Sequence, residues 1–299
     1  MSEVNTIAQE VQRVQPVATG QSLQKLAWRQ LWRKHTAIVG VGIIVVLVLT
    51  AVLADVLAPY DPTATGSGAP MLLPQWQHPL GTDMLGRDML SRVIHGSRVA
   101  IYVGVLSLVL AVLVGIPLGV ISGFYGGAVD NVIMRLMDII LAFLIFLLAI
   151  VIMVILEPST TNVVIALGIV RIPIYARIVR GSVLSIKALT YIEAAKAVAV
   201  RDTRLLWRHI LPNCMAPIIV TSTLSVGTSI IVEASLSFLG LGTQPPTPSW
   251  GWDLKAGLMI LEINPWICLF PGVVIFLTVL AFNLFGDGLR DALDPRLKM

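Results

Sequence analysis

The run TAIVGVGIIVVLVLTAVLADVL, from Thr36 to Leu57, holds a single charge, Asp55, in 22 residues. At about 1.5 Å of rise per residue it matches a hydrocarbon core roughly 30 Å thick, where a chain must satisfy its backbone groups within its own segment. It reads as a membrane-spanning helix. It starts too far from the N-terminus, and is too long, for the apolar region of a cleavable leader, so it is expected to stay in the mature protein. Further apolar runs lie at approximately 98–122, 134–156, 162–180, 213–239 and 266–285. The predicted fold class is an all-α polytopic membrane protein with about six transmembrane helices.

Composition agrees. The 299 residues are 56% hydrophobic and 13% charged, with a mean hydropathy of +0.86, against about 25% charged in an average soluble domain. Strands of alternating polarity, the mark of an outer-membrane barrel, are missing. The net charge of +4 comes from basic residues beside apolar runs, not from an aromatic-studded soluble face. The expected partner is therefore the lipid bilayer and not nucleic acid. Cys214 and Cys268 fall near opposite ends of successive spans and are expected to be free thiols.

Basic residues orient the spans. With the N-terminus inside, the inner segments hold Arg13, Lys25, Arg29, Arg33 and Lys34, then Arg177, Arg180, Lys187, Lys196, Arg201, Arg204 and Arg208, then Arg290, Arg296 and Lys298. The outer loops hold Arg87, Arg92 and Lys255. Both termini are predicted to be cytoplasmic. From Ser22, Lys25, Arg29 and Arg33 recur every four residues while Leu23, Leu26, Ala27 and Leu31 share another face. This predicts a short amphipathic helix, with Trp28 and Trp32 at headgroup depth. The second span repeats Gly115, Gly119, Gly123 and Gly127, a small-residue face that lets another helix approach closely. Pro117 falls inside it, at a position that favours a kink.

The outer loops differ in kind. Residues 59–70 are turn formers. HPLGTDMLGRDMLSRVIHG, His78 to Gly96, places Asp83, Arg87 and Ser91 at four-residue spacing and reads as an amphipathic segment along the membrane surface. GLGTQPPTPSWGWDL, Gly240 to Leu254, combines prolines with Trp250 and Trp252 at expected interface depth.

Catalytic constellations are missing. His35, His78, His95 and His209 are scattered, without an HExxH pair or a Cys/His cluster at metal spacing. There is no GxSxG elbow and no phosphate-binding lysine loop, so the chain is not expected to be an enzyme or to bind ATP, a metal or another cofactor by itself. Arg171 sits mid-span, where an Arg costs about 2.5 to 3.5 kcal/mol on insertion scales, so it is not expected to face lipid. It either lines a cavity, as Glu233 could, or forms a structural pair with Asp138, Glu157 or Glu233.

The segment 181–212 is long, basic and too polar to span. Thr190 with Glu193 fits a capping box, predicting a helix from Tyr191 that Ala194, Ala195, Ala197 and Ala199 keep slim. Ala195 and Ala199, one turn apart, would share its face. Asp202 suits a second N-cap, and Pro212 is expected to end or bend the helix it caps. Two short helices without a core of their own need a protein partner.

Here the sequence resembles the permease family of binding-protein-dependent ABC importers, whose EAA loop docks in a groove of the ATPase subunit. The match runs from Glu193-Ala194-Ala195 through His209-Ile210-Leu211-Pro212. The family usually carries Gly where this chain has Ala199, and Ala resists φ > 0. HPLGTDMLGRDMLSR, SFLGLGTQPPTPSWG and FNLFGDGLRDALDPRLK resemble signatures of the C-type subunit in the dipeptide/oligopeptide/nickel subgroup. The resemblance implies a type I importer architecture with a transmembrane domain over 97–286 holding the loop 181–212. A cytoplasmic region 1–35, an added first helix 36–57, a periplasmic loop 58–96 and a cytoplasmic tail 287–299 would flank it. It implies Glu193, Ala194, Ala195, Ala199, Asp202, His209 and Pro212 as ATPase-coupling residues. The implied partners are a B-type permease, two ATPase subunits that bind ATP and Mg²⁺, and a solute-binding protein. Gln244, Thr247 and Trp250 lie where that protein would dock, although interface anchoring explains the tryptophan equally. Peptides are the commonest substrates in the resembled group, with glutathione, opine-like compounds and nickel chelates as alternatives. From another class, a secondary transporter would keep an ion-coupling carboxylate such as Glu233 at the midplane.

Overall fold

The computed structural model describes residues 34–293. The amphipathic helix expected near Trp28 and Trp32, and the terminal Arg296 and Lys298, lie outside the described residues. The elements are α1 (His35–Val52), α2 (Ala54–Leu57), α3 (Met89–Tyr125), α4 (Gly127–Leu141), α5 (Ile145–Leu156), α6 (Thr160–Lys187), α7 (Thr190–Ala197), α8 (Asp202–Leu205), a π-helical turn (Leu206–Ile210), α9 (Leu211–Phe238), α10 (Trp250–Leu258) and α11 (Trp266–Leu293). Among the described residues five helices are long and apolar enough to cross a membrane, and six spans result if the bent pair α4 and α5 counts as one. Among the described residues the only ladder pairing is an isolated bridge between Thr82 and Asp88, so the all-α reading holds.

Helices α3 and α6 pack along the predicted glycine face. A Cβ on Gly115 would lie 2.7 Å from Tyr175 Cβ, one on Gly119 2.5 Å from the Ala176 carbonyl, and one on Gly123 2.9 Å from Val183 Cβ. Only hydrogen fits there, which is how small residues replace the hydrophobic drive that lipid removes. Gly127 is not part of this face. It has φ +56 and open space around its Cα, and with Gly126 at φ +69 it makes the turn into α4. Pro117 stays inside one continuous helix. Tyr175, Val179, Val183 and Ile186 of α6 gather Ile192, Leu205, Ile210 and Cys214 into one buried cluster. Both cysteines are free. Helix α1 lies on α11, where a Cβ on Gly40 would meet the Ala281 carbonyl at 2.8 Å.

The expected spans change in three places. Helix α3 starts at Met89 instead of near 98, because Asp88 caps it: its carboxylate accepts the Ser91 amide at 2.8 Å and the Ser91 hydroxyl at 2.7 Å. The third span breaks at Ala142–Leu144, and its halves meet at 86°. The last span extends to Leu293 and takes in part of the expected tail, where Lys34 pairs with Asp291.

Candidate functional site

Three groups of polar residues stand out. At the basic end of α6, α7 begins at Thr190, one residue early, because the Leu189 carbonyl accepts the amides of Ile192 at 2.9 Å and Glu193 at 3.3 Å. Thr190 is therefore inside the first turn and not the cap that the expected box needs. The helix closes when the Val200 amide reaches back to the Ala195 carbonyl at 3.2 Å with Ala199 at φ +57, a left-handed stop in which glycine usually sits. Ala199 thus lies beyond the helix and shares no helical face with Ala195. Ala195 turns inward against the Ile192 cluster, while Tyr191, Glu193, Ala194 and Ala197 are exposed.

Asp202 is the first residue of α8 and not its cap, which is Arg201, and no side chain caps it. A carboxylate there complements the helix dipole. Pro212 does not end the helix. The π-turn over Leu206–Ile210 precedes it, widening the ladder where proline's missing N–H would break it. Asn213 Nδ2 donates to the His209 carbonyl at 2.6 Å. His209 is half-buried and Pro212 exposed. A left-handed L-residue costs about 1 to 2 kcal/mol, so Ala199→Gly is expected to stabilise this segment by about 1 kcal/mol. Slower hydrogen exchange at the Val200 amide would register the gain, and faster exchange would refute it.

In the membrane interior, Arg171 is 6% exposed and its Nη2 donates to Thr228 Oγ1 at 2.8 Å. Its Nε has no hydrogen-bond partner among the described residues. Nearby, Tyr175 donates to Ser225 Oγ at 3.0 Å and the Ser107 and Ser229 hydroxyls meet at 3.2 Å, giving a polar seam between α3, α6 and α9. The expected carboxylate pairings of Arg171 do not form. Asp138 binds Arg177 at 2.5 Å, Glu157 stands at the end of α5 with φ +69, and Glu233 turns away. Glu233 is 1% exposed and accepts the hydroxyls of Ser237 at 2.7 Å, Ser249 at 3.0 Å and Thr243 at 3.2 Å. All three hydroxyls converge on its Oε1, and it ties the 240–249 stretch to α9.

At the opposite face the two long loops fold into one cap. Trp250 is 1% exposed, donates to the Val93 carbonyl at 2.9 Å, and presses its ring where a Cβ on Gly96 would stand 2.6 Å away. It is neither a docking surface nor an interface anchor, since α10 carries it inward. Gln244 is half-buried and donates to the Gly240 and Gly242 carbonyls at 3.0 and 3.1 Å, leaving Thr247 exposed. Arg92 Nε donates to Asp253 Oδ1 at 2.8 Å, and both side chains are almost fully enclosed. Burial pushes the Asp253 carboxyl above its ordinary range, and the Arg92 charge acts the other way. Asn264 Nδ2 donates to the Leu72 carbonyl at 3.0 Å.

Asp83 and Arg87 do pair, at 2.6 Å, and His78 meets Asp88 at 2.9 Å, but in a buried loop and not a surface helix. Gly81 at φ +78 and Gly86 at φ +71 turn the chain there. The residues missed in the sequence are Asp88, Arg92, Asp253 and Asn264. Only Asp88, three residues before Ser91, carried a local signal, that of an N-cap.

A helical membrane chain with a short projecting helix at one face and a folded two-loop cap at the other is a membrane-embedded transport component. The chain belongs to the family of binding-protein-dependent transport system inner membrane components, matched over residues 115–299, and is an ABC permease of the DppC- and OppC-like kind, with residues 22–74 matching the N-terminal TM domain of oligopeptide transport permease C. It is 43% identical over 293 residues to the glutathione transport system permease protein GsiD of Pectobacterium atrosepticum, covering 95% of each chain. It is 44% identical over 272 residues to the dipeptide transport system permease protein DppC of Alkalihalophilus pseudofirmus, covering 91% of this chain and 90% of that one. Among solved structures, an inward-facing MetNI methionine ABC transporter chain superposes with a TM-score of 0.56 at 17% identity, over 69% of this chain and 98% of that one. A chain of an amino acid ABC transporter gives 0.54 at 15% identity, over 68% and 94%. At those identities the likeness is one of fold.

Proposed function

We propose that this chain is the C-type permease of an ATP-driven importer for short peptides or a peptide-like solute such as glutathione. Two partner ATPase subunits bind ATP and Mg²⁺, a B-type permease completes the membrane unit, and an external binding protein delivers the solute. The substrate class rests on relatives named as dipeptide and glutathione permeases. The basic residues of the 181–212 segment support placing it, with both termini, in the cytoplasm.

The exposed face of α7, with Tyr191, Glu193, Ala194 and Ala197 uncovered while Ile192 is fully buried, carries this reading. A short helix that anchors one side and offers small side chains on the other supports a snug protein contact. ATP-driven movement of that contact would shift the permease between outward and inward access.

Ala194→Arg and Ala197→Arg are expected to leave the permease at its normal membrane level. Each should cut co-purifying ATPase more than about tenfold, because an unpaired charge buried in an interface costs several kcal/mol and each 1.4 kcal/mol is tenfold. Ala195→Arg points inward and should instead lower the permease itself. Normal ATPase recovery with both outward variants would overturn the docking assignment.

A further inference from the structure

Arg171 carries a charge for which the described residues supply no counter-charge. It follows the start of α6 at Thr160 by about 17 Å of rise, and Thr228 precedes the end of α9 at Phe238 by about 15 Å. Both lengths start from one face, because Thr160 donates to Thr243 at 3.1 Å in the stretch that follows α9. They agree on the middle of a hydrocarbon core roughly 30 Å thick.

A charged side chain at that depth faces a bundle interior or a water-filled cavity and is paired there. Among the described residues, the guanidinium of Arg171 has one hydrogen-bond partner, the neutral Thr228 hydroxyl, whose own proton goes to the carbonyls of Ser225 at 3.1 Å and Leu224 at 3.3 Å. Its Nε has none. Arg171 is 6% exposed, yet Thr228, on which it rests, is exposed. Thr221, Leu224, Thr228, Ile231 and Ser235 recur at three- and four-residue spacing along one side of α9, and every one is exposed or half-buried. The hydroxyls among them repeat every seventh residue over about 21 Å of depth. The guanidinium therefore waits behind a hydroxyl-bearing stripe that runs through the membrane.

We propose that this stripe lines the path of the solute and that Arg171 binds the solute's carboxylate at mid-depth. The inference rests on the importer reading and adds the chemical group that the membrane unit recognises. Short peptides and glutathione carry carboxylates that are ionised at neutral pH. A guanidinium has five N–H donors, and Thr228 takes one, so a bidentate fork remains for a carboxylate once the long side chain swings out. When the solute moves on, the neutral hydroxyl takes the guanidinium back. A transient partner of this kind leaves no permanent ion pair to hold the solute in place.

Arg171→Gln in the complete complex, reconstituted in vesicles with its binding protein, separates a passing carboxylate from a fixed one. Uptake of dialanine and of glutathione should fall more than about tenfold, the loss expected when a charged hydrogen-bond pair is removed, with Arg171→Lys intermediate. The melting temperature of the resting complex should stay level or rise, because no opposite charge is stranded. For dialanine amide, supplied at concentrations that saturate the binding protein, the wild-type and Arg171→Gln rates should agree within about twofold. A lower melting temperature would assign Arg171 a fixed carboxylate in a partner subunit and overturn the proposal. So would an equal loss for the amide. A wild-type complex that takes up neither dialanine nor glutathione would refute the peptide importer reading itself, whereas dialanine uptake untouched by Arg171→Gln would refute only the carboxylate contact.

Discussion

Arg92→Met should destabilise the chain by about 3 to 5 kcal/mol, seen as a lower melting temperature in detergent and a depleted membrane pool. Removing one member of a buried ion pair strands the other charge where water cannot reach it. Arg92 is 0% and Asp253 2% exposed, and the pair joins the start of α3 to α10 across 161 positions of sequence. Asp253→Leu should cost a similar amount for the same reason. The double variant should recover most of the loss, since apolar residues of similar volume replace buried pairs at little cost. Recovery should fall short by about 1 kcal/mol, because Arg92 Nη1 also donates to the Pro62 carbonyl at 3.2 Å. Simple additivity of the two single losses would show that the side chains act independently and that the cap is not held by their pairing.

That pair also shows where sequence reading stops. The spans were legible because hydropathy is local: Thr36–Leu57 needs no knowledge of its neighbours to be recognised, and neither does the glycine spacing of α3. The C-type permease kind was legible from the loop signatures, before any contact was known. The contacts inside those signatures were not. Asp83, Arg87 and Ser91 have helical spacing, yet Gly81 and Gly86 turn the chain, and a Cβ on Gly86 would stand 2.4 Å from the Gly68 carbonyl. Trp250 has the composition of an interface anchor, but it folds inward because Gly96, far away in sequence, leaves room for its ring.

The broken third span is the hardest case. Leu141, Ala142, Phe143 and Leu144 contain no proline or glycine, so nothing in their hydropathy separates them from a continuous helix. At α7 the residue types predicted a helix correctly but misplaced its ends, since the Leu189 carbonyl and the Ala199 turn decide them. The face assigned to Ala195 and Ala199 fails for the same reason, and the outward side falls to Ala194 and Ala197.

The glycine face permits a test in which the same chemical change has opposite signs at two positions of one packed helix pair. Gly→Ala in an exposed helix interior gains up to about 1 kcal/mol from helix propensity. Gly181, on α6, is exposed with nothing within 4 Å of its would-be Cβ, so Gly181→Ala should stabilise by about that amount. At Gly119 the added Cβ would stand 2.5 Å from the Ala176 carbonyl and 2.8 Å from Val179 Cβ. Neither is the end of a flexible side chain, so α3 and α6 must separate. Overpacking of this kind costs about 1 to 3 kcal/mol, and more where backbone has to move. Gly119→Ala should therefore be destabilising despite its better propensity, and Gly119→Leu should fail to accumulate in the membrane. Because α6 also carries Arg171 and leads into α7, separation at Gly119 should depress uptake and ATPase co-purification together. A Gly119→Leu chain that reaches the membrane at full level with its ATPase attached would show that α3 and α6 do not rely on this close approach.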